Sequence, residues 1–285
     1  MFNVTQSVTG TIFDVKEFTV HDGPGVRTTV FFKGCPLTCI WCHNPEGMDT
    51  APTLMVRNTQ CTGCGLCRRP CTHADCRPFG RCLHICPKGL VKAAGRAVGA
   101  GELVTKLSAG AELYGAGGGG VTLSGGEPLL QPEFARAVAR GLHENSIHTA
   151  LQTSGFAKAD TFASVLDTVD YVLFDLKLAH EDDHRRYTGV SCVPIHKNLA
   201  HLRESGKPFV LRIPLIPGIT DTDENLTALS ALAGDDPVEL MPYNPYAGAK
   251  YPTVGKVFRY ELPEETEERS PETLAKLFRR ARVLR

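Results

Sequence analysis

The sequence predicts an α/β protein: a partial (β/α)6 barrel, TIM-like but open on one side, with a small inserted domain. Three observations carry this. Strand-like and helix-like stretches alternate through six units, which implies a parallel sheet with helices outside it. Six units fall short of the eight that close a TIM barrel. Over residues 52–97 the periodic pattern gives way to seven cysteines and many turn formers. A chain of 285 residues is long enough for one such domain plus an insert.

The elements follow in order. A short strand is predicted at 12–18, before the turn residues Asp22, Gly23, Pro24 and Gly25. Residues 27–32 (RTTVFF) are β-branched and aromatic and read as a buried strand. Residues 52–97 have too few apolar side chains for their own core, so metal is expected to hold them. That divides the chain into a core of 1–51 and 98–285 and an insert of 52–97. A helix near 102–108 completes the first unit. The later pairs are strand 121–124 with helix 132–144, 147–153 with 161–167, and 171–175 with 195–204. Strand 209–214 with helix 223–233, and strand 238–242 with a last helix 271–283, complete the set. Pro132 suits a first helical turn.

Chemistry is written at the strand ends. Cys35, Cys39 and Cys42 lie in GCPLTCIWCHNPEG, directly after the 27–32 strand. Three thiolates can hold three corners of a 4Fe–4S cube and leave the fourth iron open, where an electron carrier would add a fourth cysteine. Zinc or three unrelated thiols are the alternatives. The order Cys-x3-Cys-x-aromatic-Cys, with Trp41 as the aromatic, resembles the radical S-adenosylmethionine (SAM) enzymes. That resemblance implies a cluster whose open iron chelates the amino and carboxylate groups of SAM.

Further along, Gly125-Gly126-Glu127 follows a strand. Glycine lets backbone approach a ligand closely, and Glu127 offers a carboxylate to the SAM amino group, as in the family's Gly-Gly-Glu motif. Gly115, Gly117 and Gly120 match G-x-G-x-x-G only formally, because a dinucleotide fingerprint must follow a strand and open a helix. Thr153 ends the next strand. Asp175 and Lys177 sit two apart and so share a face, with the amino group or ribose and the carboxylate of SAM as their candidate partners. Arg212 lies between apolar neighbours and needs an anionic partner, for which the SAM carboxylate is a candidate. Trp41 is a candidate to stack on the adenine, the alternative being a core aromatic.

In order along nearly the whole chain, DGPGVR, CHNPEG, VTLSGGEPLLQ, DLK, RIPLIPGITD and MPYNPYAGAKY resemble the glycyl-radical-enzyme activating enzymes, the pyruvate formate-lyase activase family. The resemblance implies reductive cleavage of SAM at the cluster and abstraction of hydrogen from a glycine Cα of a partner enzyme. It also implies a flavodoxin or ferredoxin as electron donor, adds Asn44 and Asn244 to the SAM contacts, and suggests a monomer. Two departures stand out. The formate-lyase activase has an acid before the Thr of the third strand end, helping to hold a monovalent cation, where this chain has Gln152. It has histidine in its Pro-Tyr-His motif where this chain has Asn244. A radical SAM enzyme acting directly on a small molecule or RNA, and a SAM-free electron carrier with several clusters, are the alternative functions.

In the insert, Cys61-x2-Cys64-x2-Cys67-x3-Cys71 has the spacing of a bacterial ferredoxin run. A second run reads Cys76, Phe79, Cys82, Cys86. Ferredoxin pairing assigns Cys61, Cys64, Cys67 and Cys86 to one auxiliary cluster. Cys71, Cys76 and Cys82 remain for a second site, one ligand short. That site could hold three irons, recruit His73, His84 or Asp75, or be absent; zinc is a further alternative. Such an insert would relay electrons or dock their donor.

Composition narrows the rest. The chain has 31 basic and 31 acidic residues, so no global field favours nucleic acid or a membrane surface. The first 20 residues lack a signal-peptide pattern, and no apolar run spans a bilayer. Eleven cysteines, an odd number with ten of them between Cys35 and Cys86, suit metal rather than disulfides. A cytoplasmic, oxygen-sensitive protein is expected. Cys192 is expected in the core. His143, His148, His196 and His201 are read as ordinary histidines, and Glu181-Asp182-Asp183 and the charges of 264–285 as solvated faces.

Overall fold

The computed structural model describes residues 8–264 and 269–284. The first seven residues and four of the C-terminal charged stretch therefore lie outside the described residues, as does Arg285. Strands are β1 (Thr9–Thr19), β2 (Arg27–Phe32), β3 (Thr53–Val56), β4 (Val91–Ala94), β5 (Arg96–Gly99), β6 (Gly120–Gly125), β7 (Thr149–Thr153), β8 (Tyr171–Asp175), β9 (Phe209–Leu215), β10 (Val238–Pro242) and β11 (Ala281–Val283). Helices are α1 (Ala100–Ser108), α2 (Ala111–Ala116), α3 (Pro132–Glu144), α4 (Ala159–Leu166), α5 (Glu181–Thr188), α6 (Val193–Glu204), α7 (Asp223–Ala233) and α8 (Pro271–Ala275).

Nine strands form one sheet in the order β11-β10-β9-β8-β7-β6-β2-β1-β5. From β2 to β11 every neighbouring pair is parallel. β1 runs antiparallel to β2, and β5 antiparallel to β1. The edge strands β5 and β11 are not neighbours, so the sheet is open.

Alternation within the strands separates core from site. Val172 and Phe174 of β8, and Leu211, Ile213 and Leu215 of β9, enter the large core under the helices. Their neighbours Tyr171, Leu173, Asp175, Val210 and Arg212 therefore turn to the other face. There only a small apolar cluster forms, from Ala150, Leu173 and Val210 with Tyr171 against it. That face also carries Ser124, Gln152, Asp175 and Arg212, together with Phe31, Pro214 and Met241. On the helix side, α3 buries Phe134, Ala135, Val138, Ala139 and Leu142, and Phe134 packs on Phe32 with ring centroids 5.3 Å apart. Each such fully buried large side chain contributes on the order of 1.5–3 kcal/mol.

Two predictions need correction. The last helix does not run over 271–283. It ends after Ala275, and Ala281–Val283 adds a parallel strand to β10, pairing Val238 with Ala281. The exposed edge of β10 offers unpaired N–H and C=O groups, and the ladder outweighs local helix propensity. Arg282 then reaches Glu239, which anchors the added strand. The acidic run 181–183 is not merely a solvated face. It is the first turn of α5, where negative charge complements the helix dipole. Glu181 also accepts from Ser191 Oγ and Cys192 N, each at 2.9 Å. Cys192 is buried, as expected. No helix among the described residues is long and apolar enough to cross a membrane.

A candidate SAM and cluster site at the strand ends

Beyond the C-terminal ends of β2 and β6–β10 lies a cavity of about 360 Å³, within the size range of small-molecule and cofactor sites. Its lining includes Cys35, Cys39, Cys42, Trp41, Asn44, Gly125, Gly126, Glu127, Thr153, Asp175, Lys177 and Arg212. Of the predicted contacts, only Asn244 is absent from the lining. Its side chain is exposed, and Oδ1 accepts from Tyr246 N at 3.0 Å, closing a local turn.

The cysteine loop is held at its neck, where Gly34 N donates to Gly47 O (2.7 Å) and Cys35 N to Met48 O (2.9 Å). Its tip rests on the end of α5, with Thr38 N donating to Thr188 O at 2.8 Å. Lys250 crosses from the C-terminal segment to Asn44 Oδ1 (2.9 Å) and Glu46 Oε1 (2.6 Å). The predicted Asn44 thus has one side-chain oxygen engaged by the protein. Burial pushes the Cys39 thiol up to about 12, and raises Cys35 and Cys42 as well. Loading a metal here must therefore displace protons. The cavity wall supplies these three thiols and no fourth among the described residues.

The Gly-Gly-Glu stretch does different work from that expected. A Cβ on Gly126 would lie 2.2 Å from Gly34 O, and Gly125 has φ +114° with its Cβ position 2.3 Å from Phe32 N. The close approach that glycine permits is to the neck of the cysteine loop. Gly126 N donates to Phe32 O, and Glu127 N to Gly34 O, both at 2.8 Å. The Glu127 carboxylate is buried and accepts four hydrogen bonds. They come from Thr153 Oγ1 (2.7 Å), Ser154 N (2.9 Å), Ser154 Oγ (2.6 Å) and Leu129 N (3.1 Å). A carboxylate has about four acceptor positions, so the protein itself saturates this one. Burial raises its pKa, against the pull of those donors. Thr153 is engaged the same way. Both residues tie the ends of β6 and β7 together beneath the loop.

Asp175 is the contrasting carboxylate. Its Oδ2 accepts from Lys177 Nζ at 3.1 Å, while Oδ1 is buried without a hydrogen-bond partner among the described residues. Burial disfavours charge on Lys177, but Asp175 and the thiols of Cys39 and Cys35 hold its pKa above the ordinary value. Arg212 stands beside Asp175 on β8 and Glu239 on β10 in the sheet register. Its Nε lies 3.2 Å from Glu239 Oε2, and Nη2 donates to His21 O at 2.6 Å. The anionic partner that Arg212 required is therefore Glu239, inside the sheet. Trp41 is 4% exposed, in an apolar cluster with Leu37, Leu178, Ile216 and Tyr260, and also borders the cavity.

Sequence reading missed Asp22, His43, Ser124, Ser154, Met241 and Tyr243 in the lining. All of these but Ser154 stood within quoted motifs, where nothing local marks them as lining residues until the strand ends are brought together. Gln152 accepts from Ser124 Oγ at 2.8 Å.

Three thiols, an unpartnered carboxylate oxygen and a lysine on one cavity suit a three-cysteine cluster with a cationic ligand beside it. Comparisons with known proteins agree. Residues 29–229 match the Radical SAM superfamily. The 4-hydroxyphenylacetate decarboxylase activating enzyme of Clostridioides difficile (strain 630) is 34% identical over 94% of this chain and 93% of its own. The isethionate sulfite-lyase activating enzyme of Oleidesulfovibrio alaskensis is 36% identical over 86% and 87%. The indoleacetate decarboxylase activating enzyme of Tractidigestivibacter scatoligenes is 33% identical over 88% of each. In fold, a radical SAM methyltransferase from Sphaerobacter thermophilus superposes with a TM-score of 0.53 at 17% identity, over 96% of this chain and 76% of that one. This chain belongs to the radical SAM superfamily and, within it, to the glycyl-radical-enzyme activating enzymes.

Proposed function

We propose that this chain activates a partner glycyl radical enzyme. A 4Fe–4S cluster on Cys35, Cys39 and Cys42 would supply the electron that cleaves SAM, and the resulting 5′-deoxyadenosyl radical would take hydrogen from the partner's glycine Cα. One observation carries the reading: the three cysteines share their cavity with a buried Asp175 oxygen that no group among the described residues hydrogen-bonds. An unsatisfied buried acceptor is costly, and the SAM ammonium would satisfy it.

The residues divide the work. Asp175 Oδ1 would accept from the ammonium of SAM, and Lys177 would face its carboxylate. Trp41 supplies an apolar face for the adenine. Glu127, Gly126 and Thr153 position the cysteine loop, and Arg212, paired with Glu239, borders the cavity. Placement and exclusion of water restrict the reaction to one C–H bond.

The relatives' names support a protein substrate, and the open sheet would fit a partial barrel that admits one from the side. Residues 52–97 would form a ferredoxin-like insert on a core of 1–51 and 98–285. Cys61, Cys64, Cys67 and Cys86 would hold an auxiliary cluster that accepts electrons from flavodoxin or ferredoxin in the cytoplasm. N–H to sulfur contacts on Cys61 and Cys86, at 3.4 and 3.5 Å, suit such thiolates.

Anaerobic reconstitution tests the proposal. With reductant, SAM should perturb the cluster spectrum and yield 5′-deoxyadenosine, and Cys39→Ser should abolish both. Turnover that persists in that variant would contradict it.

A further inference from the structure

We infer that the second metal site of the insert is a mononuclear zinc centre, held by Cys71, His73, Cys76 and Cys82, rather than an iron–sulfur cluster. The four donor atoms all lie within 4.8 Å of one another. Thiolates on different irons of a 4Fe–4S cube are spread over the corners of the cluster instead of converging on one ion. A tetrahedral zinc ion, with Zn–S near 2.3 Å and Zn–N near 2.0–2.1 Å, brings its sulfurs to about 3.8 Å apart and S···N to about 3.6 Å. Cys82 Sγ and His73 Nδ1 are 3.6 Å apart. Among the described residues, Cys61, Cys64, Cys67 and Cys86 do not gather this tightly.

The surroundings select His73 from the candidate ligands. His84 and Asp75 are turned toward each other, Nε2 to Oδ2 at 2.8 Å, and both side chains are more than half exposed. Their only cysteine companion in a tight group is Cys76. His73 instead joins all three leftover cysteines. Cys76 and Cys82 are buried, and Cys76 Sγ accepts from Leu83 N at 3.2 Å, the kind of outer contact that orients a metal-bound thiolate. A Cys3His set in a tetrahedron is a zinc set.

The consequence is functional. Zinc has no redox chemistry, so this centre would brace a segment poor in apolar residues, and any relay through the insert would run on the other four cysteines alone. None of its ligands lines the strand-end cavity, so the inference stands or falls independently of the activase reading.

The test is metal analysis and zinc K-edge absorption on the full-length, anaerobically reconstituted protein. One zinc and about eight irons per chain are expected, with three Zn–S and one Zn–N bond. His73→Ala should cut retained zinc at least about 10-fold, because an outer-contact loss alone costs 10–100-fold in affinity. His84→Ala should keep it. If His73→Ala misfolds, His73→Cys should retain zinc with four Zn–S bonds. About twelve irons without zinc, a metal-free site, or zinc lost with His84 rather than His73 would overturn the assignment.

Discussion

Replacing Asp175 with asparagine should weaken SAM binding while leaving the cluster in place. The substitution keeps the shape and removes the charge. Oδ1 is the buried acceptor without a protein partner, and Oδ2 is already engaged by Lys177 at 3.1 Å. If Oδ1 receives the SAM ammonium, the variant loses one charge-assisted hydrogen bond, about 1.5–3 kcal/mol. That is a rise of roughly 10–150-fold in Kd. The pair is mostly but not wholly buried, with side chains 13% and 17% exposed. Its loss should therefore cost less stability than the 3–5 kcal/mol of a fully buried pair. The assay is calorimetric titration of SAM into the oxidised, cluster-loaded protein without reductant, beside iron counts and urea unfolding. An affinity within about 3-fold of the parent, with iron unchanged, would refute the assignment of Oδ1 to the ammonium.

Three more outcomes are expected. Gly126→Ala should displace the neck of the cysteine loop, since its Cβ would sit 2.2 Å from Gly34 O; iron bound at the SAM cluster should fall while far-UV circular dichroism is retained. Glu127→Gln should destabilise the fold by about 2–4 kcal/mol, because the amide presents N–H groups to backbone and side-chain donors now facing a carboxylate; urea unfolding measures it, and an unchanged midpoint would contradict the positioning role. Burial opposes charge on Asp170, but Thr149 N and His143 hold its pKa below the ordinary value. Its stabilisation is therefore complete above the unfolded pKa and fades as pH falls through the folded one. Asp170→Asn should lower the unfolding midpoint at neutral pH, and the gap should begin to narrow below about pH 4 and close only below the folded pKa.

The strands were legible because each of β6 to β10 alternates between the helix-side core and the site face while remaining β-branched or apolar. The cysteine loop, Asp175 and Lys177 were legible from their place at strand ends. What stayed hidden depends on partners distant in sequence. Nothing local to Glu127 announces that Thr153 and Ser154 will saturate its carboxylate, 26 and 27 residues away. Arg212 needed an anion, but Glu239 becomes its neighbour only once β9 and β10 are in register. Asn244 is used by its own turn, and β11 exists because β10 offers an edge. Spacing set Cys71, Cys76 and Cys82 apart from the other cysteines of 52–97, whereas only the fold brings His73 to all three.

On the proposed function, the radical made at Cys35, Cys39 and Cys42 is delivered to a protein glycine. Electron paramagnetic resonance tests it most directly. The reduced protein and SAM are incubated with candidate glycyl radical enzymes from the same source. A stable glycine-centred doublet is expected on one partner, formed with 5′-deoxyadenosine and absent when Cys39 is serine. 5′-Deoxyadenosine that appears only with a small-molecule substrate, and no glycine signal on any protein, would contradict it.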